Sequence, residues 1–207
     1  MPLVVLEHAL ADHLLARLRD ETTPPERFRS LTASLTKILV SEAARNLPTE
    51  LRTVKTPMEE TQCPTLAREI VVAPVLRAGL GMLDATLEML PEASVGYIGL
   101  ERDEETAQAR TYYCKLPDLT NRVVLLLDPM LATGGSAAWA AQKLYEAGAG
   151  QVMLLCIVAA PQGISYLMET FPDLHIVAAS QDRELNDRKY ILPGLGDFGD
   201  RLYDTGK

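Results

Sequence analysis

Between residues 69 and 180 the chain alternates short, almost wholly apolar runs with stretches of helical length, and that alternation admits few folds. The runs Ile70-Val71-Val72-Ala73, Val123-Val124-Leu125-Leu126-Leu127 and Val152-Met153-Leu154-Leu155-Cys156-Ile157-Val158-Ala159 contain no charged side chain. A strand with one wet face would alternate polar and apolar residues; these do not, so both of their faces are covered. Strands of this kind separated by helices build a parallel twisted sheet flanked by helices. The spacing predicts strands over 69–73, 94–100, 122–127, 151–159 and 174–179. It predicts helices over 80–90, ended by Pro91, over 135–147, closed by Gly148, and over 161–170.

The flanks read differently. Leu10, Leu14, Leu15 and Leu18 recur at helical spacing over 8–20. In Thr23-Pro24-Pro25-Glu26, Thr23 can cap a helix, proline suits its first position, and Glu26 completes a capping box. The helix that follows carries Phe28, Leu31, Leu35, Ile38 and Leu39 on one face and stops before Pro48. Residues 48–68 show little that is distinctive. Residues 101–114 read as a hairpin projecting from the core. The tail from 181 to 207 is rich in Gly, Pro and Asp, and an irregular segment of that length is functional or disordered. Leu185, Tyr190, Ile191, Leu192 and Leu195 favour order. The 207 residues, 47% of them apolar, suit one domain over 1–207.

Composition removes several classes of function. A net charge of −8 repels phosphate backbones at long range, so nucleic acid is not an expected partner. Cys63, Cys114 and Cys156 form no CxxC pair and do not cluster with His8, His13 or His175, which argues against disulfides or zinc and for packed, reduced thiols. The longest apolar run, 152–160, is about half of what a membrane span needs, and the N-terminus lacks the basic start of a signal peptide. A soluble, cytoplasmic protein is expected.

The chemistry concentrates after the strand at 122–127. Asp128 falls at its carboxyl end, where open parallel sheets bind ligands. Pro129, Met130 and Leu131 follow, and then Ala132-Thr133-Gly134-Gly135-Ser136 opens a helix. Adjacent glycines let N–H groups converge on an anion, Thr133 and Ser136 add hydroxyls, and the helix start adds partial positive charge. An ionised Asp128 only accepts hydrogen bonds and suits sugar hydroxyls. Together they fit a ribose 5-phosphate, although a plain strand–helix turn with an Asp cap would read alike. A second strand–helix turn, Leu76-Arg77-Ala78-Gly79-Leu80-Gly81, offers backbone donors and one guanidinium, a set that suits pyrophosphate; an ordinary turn with a surface arginine is the alternative. No Walker-type loop occurs. Gly194-Leu195-Gly196-Asp197-Phe198-Gly199 matches GxGxxG, but only residues 200–207 follow it, too few for a dinucleotide fold.

The stretch from Asp128 to Ser136 resembles the phosphoribosyl-pyrophosphate (PRPP) signature of type I phosphoribosyltransferases, and its Asp-Pro start resembles the uracil phosphoribosyltransferases in particular. The likeness spans nearly the whole chain and implies a core at about 69–180, with a base-binding hood from 1–50 and 181–207. It implies that Arg77 and Arg102 meet the pyrophosphate, and that residues 128–136 and Asp197 hold PRPP. Ile191, Gly196, Asp197 and Phe198 would bind uracil, whose acceptor–donor–acceptor edge a rigid loop can read through its main chain. Without the likeness, Arg102 among four acids reads as a solvated surface residue, and the C-terminal segment as a glycine-rich cover. Mg²⁺ is implied by the substrate rather than by a ligand motif, with no direct metal ligand on the protein. The likeness adds GTP, which activates part of the family, and a homodimer or larger homo-oligomer.

The expected reaction is uracil plus PRPP giving uridine 5′-monophosphate (UMP) and diphosphate, with Arg77, Arg102 and Asp197 as the catalytic residues and Asp197 the only candidate for taking the N1 proton. A phosphoribosyltransferase for another base, and an RNA-binding or nucleotide-sensing regulator on the same fold, remain open. Two departures stand out: Phe198 where a small residue is usual, which would narrow the base pocket, and Arg188-Lys189 before Tyr190 in place of His-Gly.

Overall fold

The computed structural model describes residues 3–102 and 109–206. In chain order the elements are β1 (Leu3–Val5), α1 (Ala9–Arg19), α2 (Pro25–Ala44), β2 (Thr49–Lys55), β3 (Glu60–Leu66), β4 (Ile70–Leu76) and α3 (Leu80–Met89). Next come β5 (Ser94–Val95), β6 (Tyr97–Arg102), β7 (Ala109–Lys115), β8 (Val123–Leu127), β9 (Met130–Leu131) and α4 (Gly135–Glu146). The chain ends with β10 (Gln151–Ala159), α5 (Pro161–Thr170), β11 (His175–Gln181), β12 (Glu184–Leu185), β13 (Ile191–Leu192) and α6 (Phe198–Tyr203).

The main sheet runs in the order β1-β11-β10-β8-β4-β6-β7, with β5 beside β4 and β9 beside β10. All its pairings are parallel except β6 with β7 at the edge. The apolar strands behave as their composition requires. Along β8, Val123, Leu125 and Leu127 face one core and Val124 and Leu126 the other. The first core gathers leucines of α1 and α2 with Met82, Phe198 and Leu202, and the second gathers the alanine face of α4 with Ile164 and Leu167 of α5. A parallel sheet with helices on both faces is thus the observed fold.

Several details differ from the sequence reading. Thr23 does not cap α2: its hydroxyl donates to the Arg17 carbonyl at 2.6 Å, and Pro24 takes the cap position without a side-chain bond. The competing local acceptor wins because α1 ends close by. Leu10 is exposed, and Ala11 takes its place in the core. The strand expected over 94–100 is divided at Gly96, whose N–H donates to Val72. Residues 48–68, which seemed featureless, form a two-stranded hairpin, β2 with β3, that among the described residues is a sheet of its own and exposes Leu51, Val54, Met58 and Leu66. Where a hairpin was expected at 101–114, β6 and β7 pair antiparallel and extend the sheet; residues 103–108 of that expectation lie outside the described residues.

The tail returns to the body of the protein. Leu195, Phe198 and Leu202 are buried, and the Phe198 ring meets Phe28 of α2 edge to face at 5.1 Å. Phe28 is fully buried, and the Arg201 guanidinium lies 4.6 Å from its ring centre. Truncating it removes a large side chain and both contacts. Phe28→Ala is expected to cost about 3–4 kcal/mol in a urea titration; an unchanged midpoint would refute this anchoring of the tail.

Candidate active site

The site grows from the carboxyl ends of neighbouring strands. β4 pairs with β8 in parallel, with Pro74 opposite Leu127, so Leu76-Arg77 and Asp128 leave the sheet on the same edge. Beyond Leu127 the ladder with β10 continues irregularly. Asp128 donates its N–H to Leu155, and the Pro129 carbonyl accepts from both Ile157 and Val158, at 3.0 and 3.1 Å. Two consecutive donors on one acceptor mark a bulge, and proline suits the gap because it has no N–H to leave unpaired. Ile157 and Val158 consequently face the same core. The kink sends the chain through β9 into the start of α4.

That start is an open N-terminus. Gly134 takes the cap position at φ 85°, and no side chain caps the helix. The conformation favours glycine, and a Cβ there would also press on the Tyr166 ring and the Gly163 carbonyl, at 3.0 and 3.1 Å. The first N–H groups of α4 are left for a ligand. Asp128 and residues 130–137 line a recess of about 40 Å³. Asp128 forms one wall, half-buried, with a single long bond of 3.5 Å from the Met130 N–H. Burial pushes its carboxyl up to about 6, and that bond only partly opposes the shift. The carboxylate is short of donors, a state that sugar hydroxyls would relieve. Cys156 lies behind it: burial and then the Asp128 charge drive its thiol far from ionisation, in keeping with a packed, inert thiol.

A larger cavity of about 380 Å³ adjoins the recess. It is lined by Met130 and Ala132, which both spaces share, and by residues 188–191 and 196–198 of the tail. Ile191, Gly196, Asp197 and Phe198 thus border one cavity. Asp197 is exposed on the cavity and caps α6, accepting from the Asp200 N–H at 2.9 Å. Phe198 corrects an expectation. Its ring is only 2% exposed and turned into the core, so the side chain anchors α6 instead of narrowing the cavity. Lys189 sits at φ 64° in the turn between β12 and β13. Arg77 is exposed, and its carbonyl accepts from the Tyr203 hydroxyl at 3.3 Å, which ties the arginine loop to α6. Arg102 ends β6, but its side chain lies outside the described residues. A further cavity of about 480 Å³, lined by Glu69, Ile70 and Pro91 among others, lies at the opposite end of β4, away from Asp128.

The tail is held by groups that sequence reasoning missed. Arg201 donates to the carbonyls of Leu18 and Leu195 at 2.5 and 2.7 Å, and to that of Asp20 at 2.5 Å. Arg19 grips Asp182, Ser180 and the Gly194 carbonyl. Apart from Leu195, which is near Arg201 in the chain, these partners stand more than 160 positions apart, and no local pattern marks them. Among the described residues no three His, Cys, Asp or Glu side chains are grouped to hold a metal, and no helix is long and apolar enough to cross a membrane.

The family model for uracil phosphoribosyltransferase matches residues 5–205. A uracil phosphoribosyltransferase of Clostridium perfringens is 47% identical over 202 residues, 97% of each chain, and one of Ligilactobacillus salivarius is 45% identical over 203, again 97% of each. A solved structure of a protein from Aquifex aeolicus superposes with a TM-score of 0.92 at 39% identity, covering 97% of both chains. A hypoxanthine phosphoribosyltransferase from Staphylococcus aureus shares the fold alone, with a TM-score of 0.51 at 9% identity and 74% of each chain covered.

The state of Asp128 has a measurable consequence for the ligand-free protein. The fold binds this proton more tightly than the unfolded chain does, whose carboxyl titrates near 3.8. The associated stability is present below pH ~4, is lost as pH rises toward ~6, and stays lost above it. Asp128→Asn removes that loss. The variant is expected to be more stable than the wild type by about 2 kcal/mol at pH 7.5, a rise of several °C in Tm, with the gap closing below pH 4. Equal melting curves at both pH values would contradict the burial of an under-bonded carboxylate.

Proposed function

The chain belongs to the uracil phosphoribosyltransferase family, and from that premise we propose how its residues carry a 5-phosphoribosyl group from PRPP to N1 of uracil, giving UMP and diphosphate. One observation carries the assignment: the recess at the start of α4 and the tail-lined cavity share Met130 and Ala132, with Asp128 on the wall of the recess. A sugar phosphate and a flat base placed in them would meet at C1′.

In this reading the 5′-phosphate rests on the N–H groups of Gly134, Gly135 and Ser136 and on the hydroxyls of Thr133 and Ser136. Asp128, ionised, accepts from the two ribose hydroxyls. Pro129, Met130, Leu131 and Ala132 shape the floor between sugar and base. Arg77 and Arg102 take up the charge of the departing diphosphate as the C1′–O bond lengthens. The N1–C1′ bond forms at an oxocarbenium-like sugar while the N1 proton leaves, with Asp197 at the cavity rim as its acceptor. Ile191, Gly196 and the main chain of Phe198 read the base. Among the described residues the Gly196 N–H and carbonyl have no partner within the protein, which supports their use by a ligand. The hood at 1–50 and 181–207 closes over a core at about 69–180. Most of the catalytic effect is then positioning plus charge stabilisation.

Mg²⁺ suits this donor set, because an ion that arrives on a diphosphate needs few protein carboxylates and no direct protein ligand, and Asp197 would face it through water. When bound, it neutralises charge on the leaving group. The reading extends to a cytoplasmic homodimer or larger assembly, and to GTP as an activator.

Turnover of uracil with PRPP and Mg²⁺, against hypoxanthine, adenine and orotate, tests the substrate; activity on a purine with none on uracil would sink it. Asp128→Asn is expected to lower kcat/KM about 10²-fold or more. Because the hydroxyls need the ionised carboxylate, wild-type affinity for PRPP is expected to fall about tenfold per pH unit below ~6 and to level off above it. The 5′-phosphate titrates in the same range, so the decisive comparison is the Asp128→Asn profile, which should lose this component; identical profiles would remove Asp128 from ribose binding.

A further inference from the structure

Asp182 is the only charged side chain that is fully buried among the described residues, at 6% exposure. It follows β11, and its own N–H donates to the Ala159 carbonyl at the end of β10, so it is rooted in the sheet. Both carboxylate oxygens are engaged. Oδ1 accepts from Arg19 at 2.5 Å and from the Ser180 hydroxyl at 3.0 Å; Oδ2 accepts from Arg19 at 2.8 Å and from the Gly194 N–H at 2.8 Å. Burial alone would raise this carboxyl, but the bonds from Arg19 and Gly194 carry it below the usual carboxylate range.

A buried ion pair is a weak source of stability, since desolvation offsets most of the attraction. What this pair does supply is direction. Arg19, the last residue of α1, also donates to the Gly194 carbonyl at 2.7 Å. Gly194 is therefore clamped at both of its main-chain groups, the N–H by Asp182 and the carbonyl by Arg19. Its φ of 62° and the crowding of a would-be Cβ against the Ile191 carbonyl leave no room for another residue. Ile191 stands three positions before the clamp and Gly196 two positions after it, and both line the 380 Å³ cavity. Among the described residues no other hydrogen bond fastens the middle of this loop directly to the sheet that carries Asp128; Arg201 ties Leu195 instead to the end of α1.

We propose that Arg19 and Asp182 are positioning residues for the base: by clamping Gly194 they hold the main-chain groups of Ile191 and Gly196 in register with the edge of uracil. This rests on the reading of the cavity as the uracil pocket. Neither side chain borders the cavity, so both act through the loop. A fork-shaped guanidinium is required, because one group must serve both carboxylate oxygens and a carbonyl at once. Lysine keeps the charge beside Asp182 and leaves no buried anion alone, but it cannot make that set of bonds.

The test is steady-state kinetics on the full chain with uracil, PRPP and Mg²⁺, for wild type, Arg19→Lys and Asp182→Asn. Leu174→Ala, a core truncation just before β11 and far from the site, serves as a control of lowered stability. Both loop variants should raise KM for uracil tenfold or more, with KM for PRPP within twofold of wild type, while Leu174→Ala lowers Tm and leaves KM for uracil unchanged. The proposal is overturned if uracil KM stays within twofold in Arg19→Lys and Asp182→Asn, if KM for both substrates rises together, or if Leu174→Ala shifts uracil KM as much as they do. Wild-type protein without uracil turnover would instead overturn the reading of the pocket, and the proposal with it.

Discussion

The parallel ladder that joins β4, β8, β10 and β11 is the constraint on which the rest depends. A parallel sheet points every strand the same way, so the loops that leave its carboxyl ends converge on one edge. Arg77, Asp128 and Asp182 each follow one of these strands, although they are far apart in the chain. The ladder also requires both faces to be covered, which places α1, α2 and α3 on one side and α4 and α5 on the other. With α1 and α2 on the same face as the tail, Phe28, Arg19 and the end of α1 become the seat for the C-terminal loop.

An acidic protein that binds a polyanion must supply attraction locally. In the proposed reading it would come mostly from neutral groups, above all the uncapped N–H groups at the start of α4. These donors carry no counter-charge and do not alter the net charge of −8. The one acid in the cradle is held at a cost, since burial raises Asp128 to about 6 with a single long hydrogen bond to offset it. Hydroxyls of a ligand would supply the bonds that such a group lacks, which suits a site built for binding rather than for stability.

The cores and the strand–turn–helix unit around Asp128 were legible in the sequence because their signals are local. The strand at 151–159 and the helix at 161–170 fall at the expected residues, and Gly134 with Gly135 announces a helix start free to meet an anion. Signals that depend on a distant partner were not legible. The Thr23 hydroxyl could serve its own helix or the end of the previous one, and only the approach of Arg17 decides between them. The hairpin β2–β3 lacks an apolar face, its strands being exposed nearly throughout, so the pattern that marks buried strands is missing there. Phe198 lay in the expected pocket segment, but whether its ring would face ligand or core depended on Phe28, 170 positions earlier.

By itself, then, the order of apolar runs and glycines determined the sheet, its covering helices, and the place of an uncapped helix start after Leu127, because each of these is set by residues within one strand–turn–helix unit. Only the tertiary structure decided how the C-terminal loop is held. Arg19, Asp182 and Gly194 are an ordinary helix end, an acid after a strand and a glycine in a tail until folding brings them within 3 Å of one another. Burial then makes each need the others, because a charge or a main-chain group removed from water must find its partner inside the protein.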